Sequence, residues 1–599
     1  MIRVPAEAER NIRNAAAKNR GSVMMEEKLK GLSKEKLQEI LLDMTDFLSE
    51  EQRLKLEELV EGYGEDRTET EKAKSKVRMS QETVTEKMEQ IKSWMKQIDE
   101  GELYLDIDEY EDYSSGYWDS DWITDYYDNQ EIGNKLEVMI LFAKDCIDDL
   151  KYQDACFIYD WLWEMYVSTD SEYDAEPVDL EMLAEKDIIH TDMEQLALLT
   201  LYAAYQVTEA DKRAEKIYAY FCYYTFRRLH IEDMFRMGRE NLPGAGQFWQ
   251  DWIALLKTKG GEAEGRFLKE ALLYTEGIEG LVKAADENYR IHPSLYLTAM
   301  KAYNEEHDYE RIEEIGKTAL RKLDAWLIIR SKTALMAAYA ASCLMHTDNV
   351  MRFCWEAFRS DSTDRNFLRL FGTKEMAEEY GMRGREVLCG REKENPAAGS
   401  SNAESCRNSI DDDSYYSLSF YTGDFNTART ASKNPNGSLG WSSRFIRKGI
   451  RLFLLYLYEE KLPSRAAASV ADDIGFRDDT DSNCLMGFER EIIEESRRCK
   501  VSTFWNYFQR WKAYFPMTQE EKKKYLGWVE RIVNSRADAI VGGQYRRHYG
   551  EVAVLLAMTA EIKESMGQTS ARRQVFSEYK RKFPRHSSFQ AEMKSYFNM

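Results

Sequence analysis

Apolar residues recur every three to four positions through most of the chain, the spacing of helices that bury one face. Leu37, Ile40, Leu41, Met44, Phe47 and Leu48 follow Ser33 at this spacing, and Ser49 with Gln52 forms a capping box ahead of Leu56, Leu59 and Val60. Residues 32–63 are therefore predicted to be a helical hairpin. From residue 134 the period is organised into helix–turn–helix units. The clearest run Leu141 to Trp163 with a turn at Leu150-Lys151-Tyr152, Leu198 to Phe221 turning near Thr208 to Asp211, Leu297 to Leu320 turning at His307-Asp308-Tyr309, and Ala337 to Phe358 turning at His346-Thr347-Asp348. A small residue is expected early in the second helix, where the pair crosses closely. Ala155 and Ala214 satisfy this, and Ile312 departs from it. Ser417 to Ala431 returns to the pattern with Gly423-Asp424-Phe425 as the turn and Ala428 as the small residue. Such hairpins carry apolar residues on more than one face, so they are expected to stack.

Two segments break the period. Asp99 to Glu131 holds 13 acidic residues and no basic ones, interleaved with Tyr and Trp. Asp106-x-Asp108 and Asp119-x-Asp121 have the oxygens a calcium loop uses, but Tyr110 and Glu111 stand where an EF-hand requires a ligand and a glycine, so an acidic, aromatic surface segment is expected instead. Arg391 to Ser414 is poor in apolar residues and reads as a linker. Beyond it, Phe445, Ile446, Gly449, Ile450, Phe453, Leu454 and Leu457 share a helix face, with Arg444, Arg447, Lys448 and Arg451 predicted on the opposite one. Thr518 with Glu521 opens a helix expected to run through Val533, and helical pattern continues from Val552 to the end.

Composition sharpens the fold class. Only 32 Gly and 9 Pro occur in 599 residues, and none of the prolines lies between Pro5 and Pro177, so helix breakers are scarce. Mean hydropathy is -0.61. The longest near-apolar stretch, Ala334 to Met345, falls short of the roughly 20 residues that span a bilayer. No apolar stretch follows Arg3, Arg10, Arg13, Lys18 and Arg20, so a secretory signal is not expected and the cytoplasm is the expected location. Nine cysteines without a C-x-x-C pair indicate neither a disulfide framework nor a clustered zinc site.

The net charge of -23 hides an asymmetry. Val501 to Met599 carries 17 Lys+Arg against 9 Asp+Glu, so the end of the chain is basic and the rest strongly acidic. Arg444, Arg447, Lys448 and Arg451, together with Arg546 and Arg547, are the candidate binding residues. The later Arg572, Arg573, Lys580, Arg581, Lys582 and Arg585 interleave with Tyr579 and Phe583, as Tyr545 and Tyr549 flank the earlier pair, a pattern compatible with stacking on single-stranded nucleic acid. No phosphate-cradling G-x-x-x-x-G-K-[ST] loop and no H-E-x-x-H is present, and Gly437-Ser438-Leu439-Gly440 reads as a turn. Cys343-x-x-His346 lacks the second pair a zinc site needs. No catalytic residue, metal or cofactor is expected.

Ala334-Leu-Met-Ala-Ala-Tyr-Ala-Ala through Trp355-Glu-Ala-Phe-Arg, Gly423-Asp-Phe-x-x-Ala followed by Leu439-Gly-Trp-Ser442, and Arg536-Ala-Asp-Ala-Ile-Val with Arg546-Arg-His-Tyr549, then Tyr579-Lys and Pro584-Arg-His, resemble the helical-repeat region of bacterial SWIM zinc-finger proteins. The likeness covers most of the chain after about residue 30. It implies a tetratricopeptide-like scaffold and brings no catalytic residues. The C-x-C…C-x-H zinc signature is absent, so the finger's metal site and binding do not carry over.

The expected fold is all-α, a tetratricopeptide-like helical-hairpin solenoid in two arms. Its parts are a flexible N-terminus (1–30), an N-terminal hairpin region (31–98), the acidic aromatic segment (99–133), the repeat solenoid (134–390), the linker (391–414) and a C-terminal helical domain with a basic end (415–599). The expected function is a non-catalytic scaffold or adaptor for a protein or peptide partner. The alternative is a nucleic-acid-associated factor acting through the basic C-terminal arm. No membrane partner is expected.

Overall fold

The computed structural model describes residues 81–112, 121–170, 177–391, 412–432, 444–476 and 484–597. The hairpin expected at 32–63 and the turn at Gly437 to Gly440 lie outside them, as does most of the 391–414 segment. The chain forms two compact units, Met1–Tyr104 and Leu105–Met599. In the first, α1 (Gln81–Asp99) buries Val84, Met88, Ile91, Met95 and Ile98, a spacing of four and three that keeps them on one stripe.

Among its described residues the second unit is all-α apart from one small sheet. That sheet gives strands to the segment expected only as an acidic, aromatic surface. β1 (Tyr104–Asp112) and β2 (Asp121–Tyr127) pair antiparallel, and β3 (Ser168–Thr169) completes the order β2-β1-β3. Tyr, Ile and Trp suit a pleated surface, and here they outweigh the poor strand preference of Asp.

Helices follow in close succession: α2 (Ile132–Asp148), α3 (Tyr152–Glu164), α4 (Leu180–Glu185), α5 (Met193–Val207), α6 (Arg213–Ala219), α7 (Ala245–Leu256), α8 (Glu262–Thr275), α9 (Gly277–Asn288), α10 (Leu295–Glu305), α11 (Tyr309–Lys322), α12 (Ile328–Cys343), α13 (Thr347–Ser360), α14 (Asp364–Leu370) and α15 (Lys374–Arg391). From α7 to α13 each packs on the next, and α10 also touches α12. Beyond residue 411 come α16 (Asp412–Tyr421), α17 (Phe425–Ala431), α18 (Arg444–Leu457), α19 (Arg465–Ile474), α20 (Gly487–Cys499), α21 (Thr503–Lys512), α22 (Gln519–Gly542), α23 (Tyr549–Ser565), α24 (Ala571–Lys582) and α25 (Ser587–Phe597).

Four hairpins, α2/α3, α10/α11, α12/α13 and α16/α17, turn in the same way. Each first helix ends in a left-handed residue, Leu150, His307, Met345 or Gly423, with φ between 60° and 80°. The next residue, Lys151, Asp308, His346 or Asp424, caps the second helix with φ between −94° and −79° and ψ between 60° and 78°. Its N–H donates to the carbonyl five residues back at 2.8 to 3.1 Å, onto Cys146, Tyr303, Ala341 and Ser419 respectively, closing the Schellman ring that satisfies a helix C-terminus. Asp308 and Asp424 also accept from the N–H groups of Arg311 and Thr427. The unit expected around Thr208 to Asp211 differs. Thr208 is extended and a tight turn over Ala210–Lys212 leads into α6.

The small residues sit where close packing demands them: Ala155 and Ala428 are fully buried and Ala214 nearly so. Ile312 is also fully buried, and on α11 the close approach falls at Gly316, where an added Cβ would stand 2.5 Å from the Ala337 Cβ of α12.

Two further expectations are revised. The Thr518 and Glu521 capping box is present, but α22 continues to Gly542, because Val533, Ala537, Ile540 and Val541 extend its buried stripe. α18 is not two-faced: Leu452, Leu455 and Tyr456 are buried along with the predicted apolar face, since α16, α17, α19, α22 and α23 all pack on it.

Candidate functional site

Among the described side chains the basic candidates differ in exposure and in partners. Arg444 opens α18, and its side chain lies outside the described residues. Arg447 is exposed. Lys448 donates to Asp364 at 2.8 Å, and Arg451, only 3% exposed, lies 2.9 Å from Asp473 while also donating to the Arg447 carbonyl. Burial pushes the Arg451 guanidinium below its ordinary pKa, while Asp473 and Glu551 oppose that shift and favour the charged form. Arg546 and Arg547 are exposed on the turn before α23. Their neighbour His548 approaches Glu551 at 3.5 Å, and Arg536 reaches the same oxygen at 3.6 Å. Glu551 thus acts on both predicted basic groups, with acids placed among them.

Part of the basic end is engaged in the same way, while Arg573, Lys580, Arg581 and Arg585 are exposed. Arg572 pairs with Glu564 at 2.6 Å, Lys582 with Asp538 at 2.7 Å, and Lys563 with Glu530. Of the interleaved aromatics, Tyr549 and Tyr579 are buried and pack edge-on to Phe589, whereas Tyr545 is half-exposed.

A site that sequence reasoning missed lies where α14, α20 and α21 meet. Glu489 is fully buried, and its Oε1 accepts from Arg369 Nε at 2.9 Å and the Tyr507 hydroxyl at 3.0 Å, with Arg365 Nη2 at 3.5 Å. Arg369 also donates to Asn366. Burial, then the Glu489 charge, raise the Tyr507 phenol far above its ordinary pKa. In front of this cluster is a cavity of about 320 Å³ lined by Arg365, Asp472, Phe476, Arg497, Thr503 and Phe504 among others. Burial and neighbouring Asp473 raise the Asp472 carboxyl. Guanidinium donors beside phenyl rings form a lining suited to an anionic group on an apolar body. The only sequence signal was Arg365 and Arg369 at i, i+4 amid Phe367, Leu368 and Leu370, with no hint that Glu489 would meet them.

His346, half of the Cys343-x-x-His346 pair, faces a carboxylate. Its Nδ1 lies 2.8 Å from Glu313, which is almost fully buried and also takes Asn349 at 2.6 Å and Lys317 at 2.5 Å. Burial would raise the Glu313 carboxyl, but Lys317 and His346 outweigh it and hold the group below its ordinary value. Among the described residues no group of three His, Cys, Asp or Glu side chains could hold a metal ion, and no helix is long and apolar enough to cross a membrane. The Lys512 amine, donating to the Tyr458 carbonyl at 2.6 Å, is pushed down to about 8 by burial and by Lys522.

No protein-family model matches the chain, and no curated protein matches it.

Proposed function

We propose that the chain is a non-catalytic scaffold or adaptor in the cytoplasm, holding a protein or peptide partner in the groove of a two-armed, tetratricopeptide-like solenoid. The observation that carries this reading is the common turn of four hairpins, joined to the succession α7 to α13 in which each helix packs on its neighbour. Stacked hairpins of this kind present an extended surface for recognition. The likeness to the repeat region of SWIM zinc-finger proteins supports the same architecture. Large apolar side chains left exposed, Leu273 and Tyr274 at the end of α8 and Trp326 before α12, supply anchors of the type that dominate interfaces.

The nucleic-acid alternative has less support, because Lys448 and Arg451 are tied to acids. The test is capture of partners by the tagged full-length chain from its native cell, with and without nuclease. A defined protein recovered in both samples, and weakened about tenfold by a Leu273→Ser, Tyr274→Ser variant, supports the groove reading. Recovery that disappears with nuclease overturns it in favour of the basic arm.

A further inference from the structure

The cavity in front of the Glu489 cluster brings together charges that the fold leaves apart. Its volume of about 320 Å³ stands at the lower end of small-molecule sites, and its walls come from α14, α19, α20 and α21 together with the turns that join them. Arg365, 6% exposed, forms the inner wall, while Asp472 and Arg497 are exposed and mark the mouth. Phe476, Leu485 and Phe504 supply apolar wall.

Asp472 and Arg497 have opposite charge and share this cavity, yet neither forms an ion pair among the described residues. Asp472 sits in the last turn of α19, where the negative end of the helix disfavours a carboxylate. Burial and the neighbouring Asp473 oppose its charge further, and Arg451 pairs with Asp473 instead. A cation in the cavity would relieve Asp472. An anionic group would at the same time meet Arg497 and Arg365, whose guanidinium stands 5.7 Å from the centre of the Phe476 ring. A plain carboxylate is repelled by Asp472 and a plain amine by two guanidiniums, so the lining selects a ligand that carries both charges on an apolar body.

We propose that the cavity binds a free α-amino acid with a large apolar side chain, its carboxylate on Arg497 and Arg365, its ammonium on Asp472 and its side chain against Phe476, Leu485 and Phe504. The volume suits one amino acid rather than a peptide. This site is separate from the hairpin groove, and no groove residue takes part in the assay below, so the two readings fail independently.

The test is isothermal titration calorimetry of the full-length chain at neutral pH with L-phenylalanine, L-leucine, 3-phenylpropanoate and 2-phenylethylamine. The third compound lacks the ammonium and the fourth lacks the carboxylate. The expected result is saturable binding of L-phenylalanine or L-leucine, at least about tenfold weaker binding of the two truncated compounds, and about a tenfold loss of amino-acid affinity in Arg497→Gln and in Asp472→Asn. Both side chains are exposed, so these variants are expected to fold. Asp472→Asn should leave 3-phenylpropanoate binding no weaker, because the repelling carboxylate is gone. Failure of both amino acids to bind overturns the proposal. So does equal binding of 3-phenylpropanoate and L-phenylalanine, which would mean a simple carboxylate site, or amino-acid binding that either variant leaves unchanged.

Discussion

Met345 occupies the left-handed position of the α12/α13 turn with φ 60° and is 85% exposed, so its side chain contributes little to packing while its Cβ strains the backbone. Met345→Gly is expected to raise stability by about 1 kcal/mol, and Met345→Val to lower it, as read from the midpoint of urea unfolding. Gly423 already holds the equivalent place in α16/α17. Lys512 gives a second expectation at this scale. Its amine is held at about 8 in the folded chain, mainly by burial and then by Lys522, against roughly 10.4 for a free lysine. Between those values the unfolded chain keeps a proton that the folded chain has released, so this group makes stability rise with pH. The sign follows from a lowered base: the cost of burying the charge is felt below pH 8 and disappears as pH climbs toward 10. Thermal unfolding of the native chain and of Lys512→Met across pH 7 to 10 should show the native chain gaining on the variant as pH increases.

At the level of elements, the contact between α11 and α12 depends on Gly316. An added Cβ there meets the Ala337 Cβ, which is fixed to the opposing backbone and cannot rotate away. Gly316→Ala is expected to cost about 1 to 2 kcal/mol despite alanine's better helix propensity, because the helices must separate; Gly527→Ala, on α22 with open space around it, should stabilise by up to about 1 kcal/mol under the same denaturant assay. These elements were largely legible in the sequence. The turns at Leu150, His307, His346 and Gly423, and the capping box at Thr518, rest on short-range chemistry that a sequence displays. Less legible were the features decided by distant neighbours. α18 was read as two-faced because its arginines and lysine are polar, yet five helices pack on it and Arg451 is buried with an acid partner. The β1–β2 hairpin was concealed by its acids, since alternation of Asp with Tyr and Ile resembles a solvated segment until the strands are paired.

Across the second unit, the organising charges lie far apart in sequence. Glu489 meets Arg365 and Arg369 across more than 100 residues, which is why no local pattern announced the cluster, and a separation of 84 residues likewise hid the pairing of Lys448 with Asp364. An ion cluster taken out of water depends on its complete set of partners. Glu489→Gln keeps the side chain's size but leaves two buried guanidiniums without their carboxylate, so a loss of about 3 to 5 kcal/mol is expected in equilibrium unfolding. Desolvation and pairing can be separated by measuring Glu489→Gln again in an Arg369→Met background. There one of the guanidiniums is already gone, and the same substitution should cost less by at least about 1 kcal/mol. A cost unchanged in that background would mean that Arg369 and Glu489 stabilise the junction of α14 and α20 independently, and that the 2.9 Å contact between them contributes no coupling.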